Sequence, residues 1–144
     1  MMASNDRLTP WRRVRLQDEG DERGRLSIIE TSPRLLDKID RVYFIHGTLE
    51  GSVRGCHAHR ALEQVLVCLA GQVRIRLDAG DRHENIVLQD PRDGLYIGPL
   101  VWRELTGFSP TTVCAVLASH RYDPDDYIHD YSTFLEERQE GIGL

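Results

Sequence analysis

Lysine is almost absent from this chain: Lys38 stands alone among 18 basic residues. Arginine therefore carries nearly all the positive charge, which suits planar recognition of phosphates. The basic residues are outnumbered by 23 acidic ones, leaving a formal net charge of −5. That balance argues against general nucleic-acid binding. Cysteine is scarce, and Cys56, Cys68 and Cys114 show no paired spacing. This excludes a disulfide framework and fits a reducing cytoplasm. Cys68 and Cys114 lie in apolar runs and read as small core residues. No hydrophobic run reaches membrane-spanning length, and the stretch from Met1 to Arg7 lacks the apolar core of a secretory signal. Neither a membrane nor a nucleic acid is expected as a partner. Internal repeats and low-complexity segments are absent too. What remains is 144 residues at 40% hydrophobic content, enough for one domain with its own core.

Short strands and turns dominate the pattern. Leu26 to Glu30, Arg41 to Ile45, Gln64 to Leu69, Val73 to Leu77, Glu84 to Leu88, Leu95 to Ile97 and Val113 to Leu117 all read as strands. Gln64 to Leu69 is continuously apolar, as in a strand buried on both faces. Val73, Ile75 and Leu77 alternate with Arg74 and Arg76, so those arginines belong to a solvated face. Asp78 to Asp81 and Asp90 to Gly94 read as turns. Strands at this spacing predict an all-β sandwich or barrel. Near the end, Asp123-Pro124-Asp125-Asp126 has the form of a helix start, with an N-cap, a proline at N1 and acids on the first turn. Tyr127, Tyr131 and Phe134 or Leu135 follow at helical spacing, which predicts a short amphipathic helix packed on the barrel. Residues 1–20 are polar and weakly periodic and read as an N-terminal extension, partly mobile or swapped; residues 21–144 form the single domain.

The chemistry is concentrated in Gly51-Ser52-Val53-Arg54-Gly55-Cys56-His57-Ala58-His59. On a strand, residues at i and i+2 share a face, so His57 and His59 point the same way. Such a pair can hold a metal or move protons. Alternation puts Cys56 on the opposite face, which disfavours a Cys–His nucleophile. His46, His83, His120 and His129 have no evident partner and read as surface residues.

The segment resembles the first motif of the cupin superfamily, which implies a cupin jelly-roll β-barrel. In that motif a glycine, His-x-His, a glutamate and a later glycine recur. Here Gly51, His57, His59 and Gly71 match, but Gln64 falls at the glutamate position. The histidine of the second motif falls on Arg103, after Gly98-Pro99-Leu100. Two of four expected metal ligands are thus replaced, one by a neutral amide and one by a permanent cation. An amide oxygen is a weak ligand for a transition metal, and a guanidinium repels one. The expectation is a pocket with no metal, whose histidines are available for acid–base work.

Beyond the superfamily, the chain is similar to the sugar 3,4-ketoisomerases that act on dTDP-4-keto-6-deoxyglucose, from about Asp21 to Leu135. The resemblance rests on Asp21-x-Arg23-Gly24, Arg41-Val42-Tyr43, Val53-Arg54-Gly55-x-His57-Ala58-His59, Glu63 to Cys68, Gly94 to Ile97, Trp102 to Leu105, and Tyr122-Asp123 with Asp126-Tyr127-Ile128. It implies an isomerase that moves a ketone from C4 to C3 of the sugar through a cis-enediol, without metal or other cofactor. His57 and His59 would be the catalytic acid and base, since histidine lies nearest neutral pKa unperturbed. Arg54 and Arg103 would stabilise the enediolate oxygen or bind the diphosphate, with Arg54 turned inward by a bulge at Gly55. Gln64 and Tyr96 would bind the sugar, and Arg23 and Arg41 the phosphate or the sugar end.

The resemblance also implies a cytoplasmic homodimer that exchanges N-terminal strands. A pyridoxal-phosphate aminotransferase would act next, on the way to 3-amino-3,6-dideoxysugars for surface polysaccharides such as the O-antigen of lipopolysaccharide, or for glycosylated metabolites. Two other readings stand beside it. One is a dTDP-4-keto-6-deoxysugar epimerase, a family that pairs a His–Asp dyad with a tyrosine. The other is a non-catalytic nucleotide-sugar-binding module.

Overall fold

A computed structural model describes residues 10–141. Twelve strands form two five-stranded antiparallel sheets and one separate hairpin. The first sheet has the order β1 (Trp11–Arg15), β9 (Asp93–Ile97), β6 (Gln64–Ala70), β11 (Val113–Ala118), β4 (Arg41–Ile45). The second runs β12 (Tyr127–Ile128), β5 (Arg54–His59), β10 (Trp102–Thr106), β7 (Val73–Asp78), β8 (His83–Leu88). The hairpin is β2 (Gln17–Asp21) with β3 (Gly24–Ile28). One helix, α1 (Tyr131–Gly141), closes the described chain. The all-β class is what the strand spacing predicts, and two facing sheets with a short C-terminal helix agree with the jelly roll that the resemblance implies.

The alternation of each strand places its residues. In β7, Val73, Ile75 and Leu77 are buried while Arg74 and Arg76 are exposed. The buried set joins Leu66, Cys68, Leu95, Ile97, Cys114 and Val116 in the core between the sheets. Strand β6 is buried on both sides, which explains its unbroken apolar run. Leu66 and Cys68 face the main core, whereas Val65 and Val67 pack on the outer side with Leu16, Leu36 and Tyr96.

Two expectations need correction. The strand β1 lies inside the first sheet, paired with β9 from Trp11↔Ile97 to Arg15↔Asp93. A boundary at residue 20 therefore cuts through β2, and the domain reaches back at least to Trp11; residues 1–9 of the expected extension lie outside the described residues. Strand β1 hides in sequence because Arg12, Arg13 and Arg15 outnumber its apolar residues. The motif at Asp123 caps only a 3₁₀ turn, Pro124–Asp126, and Tyr127 then enters β12 beside β5. The helix starts at Tyr131, where Asp130 caps it by accepting from the Thr133 amide at 2.9 Å. Strand β10, central in the second sheet, lacked a clear alternation in sequence.

Helix α1 is anchored more than it is self-supporting. Its one buried residue, Phe134, packs in a cluster with Ala58, Trp102 and Ile128. Arg60 of the β5 end pairs with Glu137 at 2.7 Å, and Arg138 donates to the Leu100 carbonyl at 2.6 Å. An isolated helix of this length is marginal in water. Truncation at this anchor, Phe134→Ala, is therefore expected to cost about 3–5 kcal/mol of unfolding free energy. Urea denaturation would measure it; a loss below 1 kcal/mol would show that the helix does not depend on this contact.

Candidate active site

The site forms where the two sheets face each other. Strand β4 brings Arg41, Tyr43 and Ile45 to one side, and β6 brings Gln64. Strand β5 contributes Arg54, His57 and His59, and β10 contributes Arg103. A small cavity of about 80 Å³ lies between them, lined by Tyr43, Arg54, His57, Gln64 and Arg103. A larger one of about 440 Å³ is lined by Arg41, His59, Tyr122, Asp126 and Tyr127. The rings of His57 and His59 sit 4.8 Å apart, edge to face.

A backbone irregularity orients β5. Arg103 pairs with His57, but the next residue, Glu104, pairs with Gly55, so Cys56 is the extra residue of a bulge. Gly55 (φ +85°) and Cys56 (φ +55°) both adopt the left-handed region. At Gly55 a Cβ would lie 3.1 Å from the Arg103 carbonyl oxygen, so both its backbone angle and its tight surroundings favour glycine. The bulge brings Arg54 to the cavity although simple alternation opposes it to His57.

Arg103 dominates the electrostatics. It is 2% exposed. Its guanidinium donates to Gln64 Oε1 at 2.5 Å and to the Val101 carbonyl at 3.0 and 3.3 Å. None of these acceptors carries a charge. Burial pulls its pKa down to about 10, which leaves it cationic at neutral pH. With its oxygen engaged, the Gln64 amide donates from Nε2 to the Tyr43 hydroxyl at 3.2 Å. Tyr43 therefore keeps its own proton to donate, and burial raises its pKa.

Both histidines are neutral for stated reasons. Burial, with the Arg103 charge second, lowers His57 to about 4 against an ordinary 6.5. The same causes push His59 further down. Nδ1 of His57 lies 3.0 Å from the Gly55 carbonyl, which can only accept, so Nδ1 carries the proton. Nδ1 of His59 lies 3.1 Å from Asp126 Oδ2. In both rings the remaining Nε2 holds a lone pair. Such a set fits a metal poorly: a cation occupies one expected ligand position, and the amide at the other is bonded to it. Among the described residues, no group of three His, Cys, Asp or Glu is arranged to hold a metal ion.

The structure thus gathers His57, His59, Arg54, Gln64, Arg103 and Arg41 around two adjoining cavities. Two expected residues fall elsewhere. Tyr96 points to the outer face of β9, packs in the cluster of Leu16 and Leu36, and donates to Glu63 Oε1 at 2.5 Å. It is opposite in phase to Ile97, the residue of β9 that does line the cavity. Arg23 sits at the β2–β3 turn, paired with Asp21 at 2.6 Å, and lines neither cavity.

Sequence reasoning missed Tyr43, Asp126 and Tyr127. Tyr43 was accessible from phase alone, being two residues from Arg41. Tyr127 approaches His59 to 4.3 Å and His57 to 5.0 Å, ring centre to ring centre. Its helical spacing with Tyr131 concealed its place on a strand. His129, exposed as expected, stacks on Tyr127 at 5.4 Å. His120 bonds Ser119 and lines the larger cavity.

Residues 10–139 match the family described as FdtA: WxcM-like, C-terminal. A TDP-4-oxo-6-deoxy-alpha-D-glucose-3,4-oxoisomerase of Aneurinibacillus thermoaerophilus is 48% identical over 114 residues, 79% of this chain and 82% of that one. QdtA, a sugar 3,4-ketoisomerase from Thermoanaerobacterium thermosaccharolyticum solved in complex with TDP, superposes with a TM-score of 0.88 at 42% identity, over 93% of this chain and 98% of that one. A histidine-to-asparagine variant of QdtA in complex with TDP-4-keto-6-deoxyglucose gives 0.88 at 40% identity, over 94% and 98%.

The electrostatics generate a pH prediction. Protonation of His57 should follow a midpoint of about 4 by NMR titration, well below the ordinary 6.5. The unfolded chain binds that proton first, so stability should fall as pH drops from 6.5 towards 4 and be fully retained above 6.5. Arg103→Met removes the repelling charge and should raise the midpoint. A His57 midpoint near 6.5 in the folded protein would contradict the burial described here.

Proposed function

The chain belongs to the family described as FdtA: WxcM-like, C-terminal, and is a sugar 3,4-ketoisomerase like its relatives; we propose that it converts TDP-4-keto-6-deoxyglucose to the 3-keto isomer with its own histidines as acid and base and without a metal. The observation that carries this mechanism is the pair of neutral imidazoles, both Nδ1 atoms engaged, beside a buried arginine without a charged partner among its hydrogen bonds.

The reaction is a net transfer of hydrogen from C3 and its hydroxyl to C4 and its oxygen. One Nε2 takes the proton from C3 as O4 becomes protonated, which yields the cis-enediol. A proton then reaches C4 while O3 gives one up and becomes the carbonyl. No electrons leave the sugar, so no redox cofactor is needed. Arg103 stabilises the negative oxygen of the enediolate, where a charge held only by neutral hydrogen-bond acceptors is worth most in a dry site. Tyr43, protonated and at the same cavity, is placed to donate to an oxygen. Gln64 holds both, and its amide orientation follows from Arg103. Arg54 and Arg41, at the two cavities, suit the diphosphate.

The 3-ketone formed is a substrate for transamination, so a pyridoxal-phosphate aminotransferase is the expected next enzyme in a 3-amino-3,6-dideoxysugar pathway. A cytoplasmic setting is supported by three free cysteines, and no helix among the described residues is long and apolar enough to cross a membrane. A homodimer is supported by exposed apolar residues on the edge strand β4 and the hairpin, with Phe44 59% and Leu26 65% exposed. In the single chain β1 pairs with its own β9, so exchange of N-terminal strands is a proposal for the dimer.

The His59–Asp126 pair next to Tyr127 supplies the grouping that the epimerase reading needs. Proton NMR of TDP-4-keto-6-deoxyglucose with the protein in D₂O separates the two. The expected result is a 3-keto species with deuterium at C4. Deuterium at C3 or C5 with the ketone still at C4 would favour the epimerase, and no exchange would leave only a binding protein. His57→Asn should lower kcat by about 10²–10⁴-fold with TDP still bound.

A further inference from the structure

Asp126 is held from several directions. Its Oδ1 accepts from the Ala61 amide at 2.8 Å, and its Oδ2 lies 3.3 Å from the Leu62 amide. Its own carbonyl accepts from the Arg60 amide at 2.9 Å. The capped 3₁₀ turn that contains it is set by Asp123 and Pro124. The carboxylate is thus locked onto the turn that follows β5, with Oδ2 also 3.1 Å from His59 Nδ1. His59 is 1% exposed, and its Nε2 is buried with no hydrogen-bond partner among the described residues. A buried polar atom left unpaired is costly and calls for a reason.

We propose that Asp126 is a positioning residue that keeps the His59 proton on Nδ1 and so presents the Nε2 lone pair to the sugar, the catalytic half of which rests on the isomerase reading above. The physical reason is the one-way character of the contacts. Backbone amides only donate, and an ionised carboxylate only accepts. With Asp126 fixed by the amides, the imidazole must donate from Nδ1, and the alternative tautomer would place two acceptors face to face. The unpaired Nε2 is then the base itself, with its lone pair free because no group among the described residues satisfies it. A serine-protease triad uses a buried aspartate in the same way to select a histidine tautomer.

Asparagine tests this without a change of shape. In Asp126→Asn the amide oxygen takes the Oδ1 place, where the Ala61 amide donates at 2.8 Å, and the NH₂ group takes the Oδ2 place facing His59, giving up the longer 3.3 Å contact with the Leu62 amide. It donates to Nδ1, and the ring proton moves to Nε2. Nitrogen-15 NMR of histidine-labelled protein reads this directly and needs no substrate. The expected result is a protonated Nδ1 on His59 in the wild type and a protonated Nε2 in the variant. The variant's kcat should fall by about 10²–10⁴-fold, with KM and TDP binding retained. A wild-type ring protonated on Nε2 overturns the proposal whatever the variant does, and so does a variant with the tautomer unchanged. A switched tautomer with full kcat overturns the catalytic half alone. Wild-type protein that shows the expected tautomer but isomerises no TDP-4-keto sugar overturns the isomerase reading instead, leaving the Asp126–His59 contact intact.

Discussion

A single buried cation organises the interior of this barrel. Arg103 sits between the two sheets with no carboxylate among its hydrogen-bond partners, so its direct contacts are to neutral dipoles, with the Asp126 carboxylate acting on its charge from farther off. An unpaired buried charge is costly, and the residues around it are arranged to limit that cost. Gln64 turns its oxygen inward, its amide then faces Tyr43, and the tyrosine proton is left for another acceptor. The same charge helps keep His57 and His59 neutral. A buried cation with no anion in direct contact is suited to an oxygen that becomes negative during reaction.

The second constraint is backbone geometry at the end of β5. A bulge at Gly55 and Cys56 sets how Arg54 and His57 meet β10, and its conformation disfavours a side chain at Gly55. Cys56 tolerates the left-handed region at a cost of about 1–3 kcal/mol, a local strain of the kind that clusters at functional sites. Two residues farther on, the short strand β12 covers the other edge of β5. Tyr127 reaches the histidine pair from there, and Asp126, just before it, reaches His59. The wall that carries the histidine pair is therefore built from a bulge on one side and a two-residue strand on the other.

The residues far from the histidines serve this wall indirectly. Helix α1 buries Phe134 against Trp102, the neighbour of Arg103 in β10. The Arg60–Glu137 pair ties the helix to the turn that carries Ala61 and Leu62, whose amides hold Asp126. Stability of the C-terminal element and geometry at His59 are thus coupled through one short turn.

Local pattern alone determined the all-β class, eight of the strands, and the shared face of His57 and His59. These depend on period-two alternation, which the chain carries residue by residue. Resemblance of motif placed Gln64 and Arg103 at one site. Contacts across the fold decided the rest. Tyr96 and Ile97 are adjacent in β9 and were equally plausible until the sheet showed which face each takes. Asp123 to Asp126 has the composition of a helix start, yet pairing with β5 overrode it and made Tyr127 a strand residue. Asp126 and His59 are separated by 67 positions, and no local periodicity reports a contact of that range. The tautomers belong to the same class, because the partner of a ring nitrogen, and not the ring, determines where its proton resides.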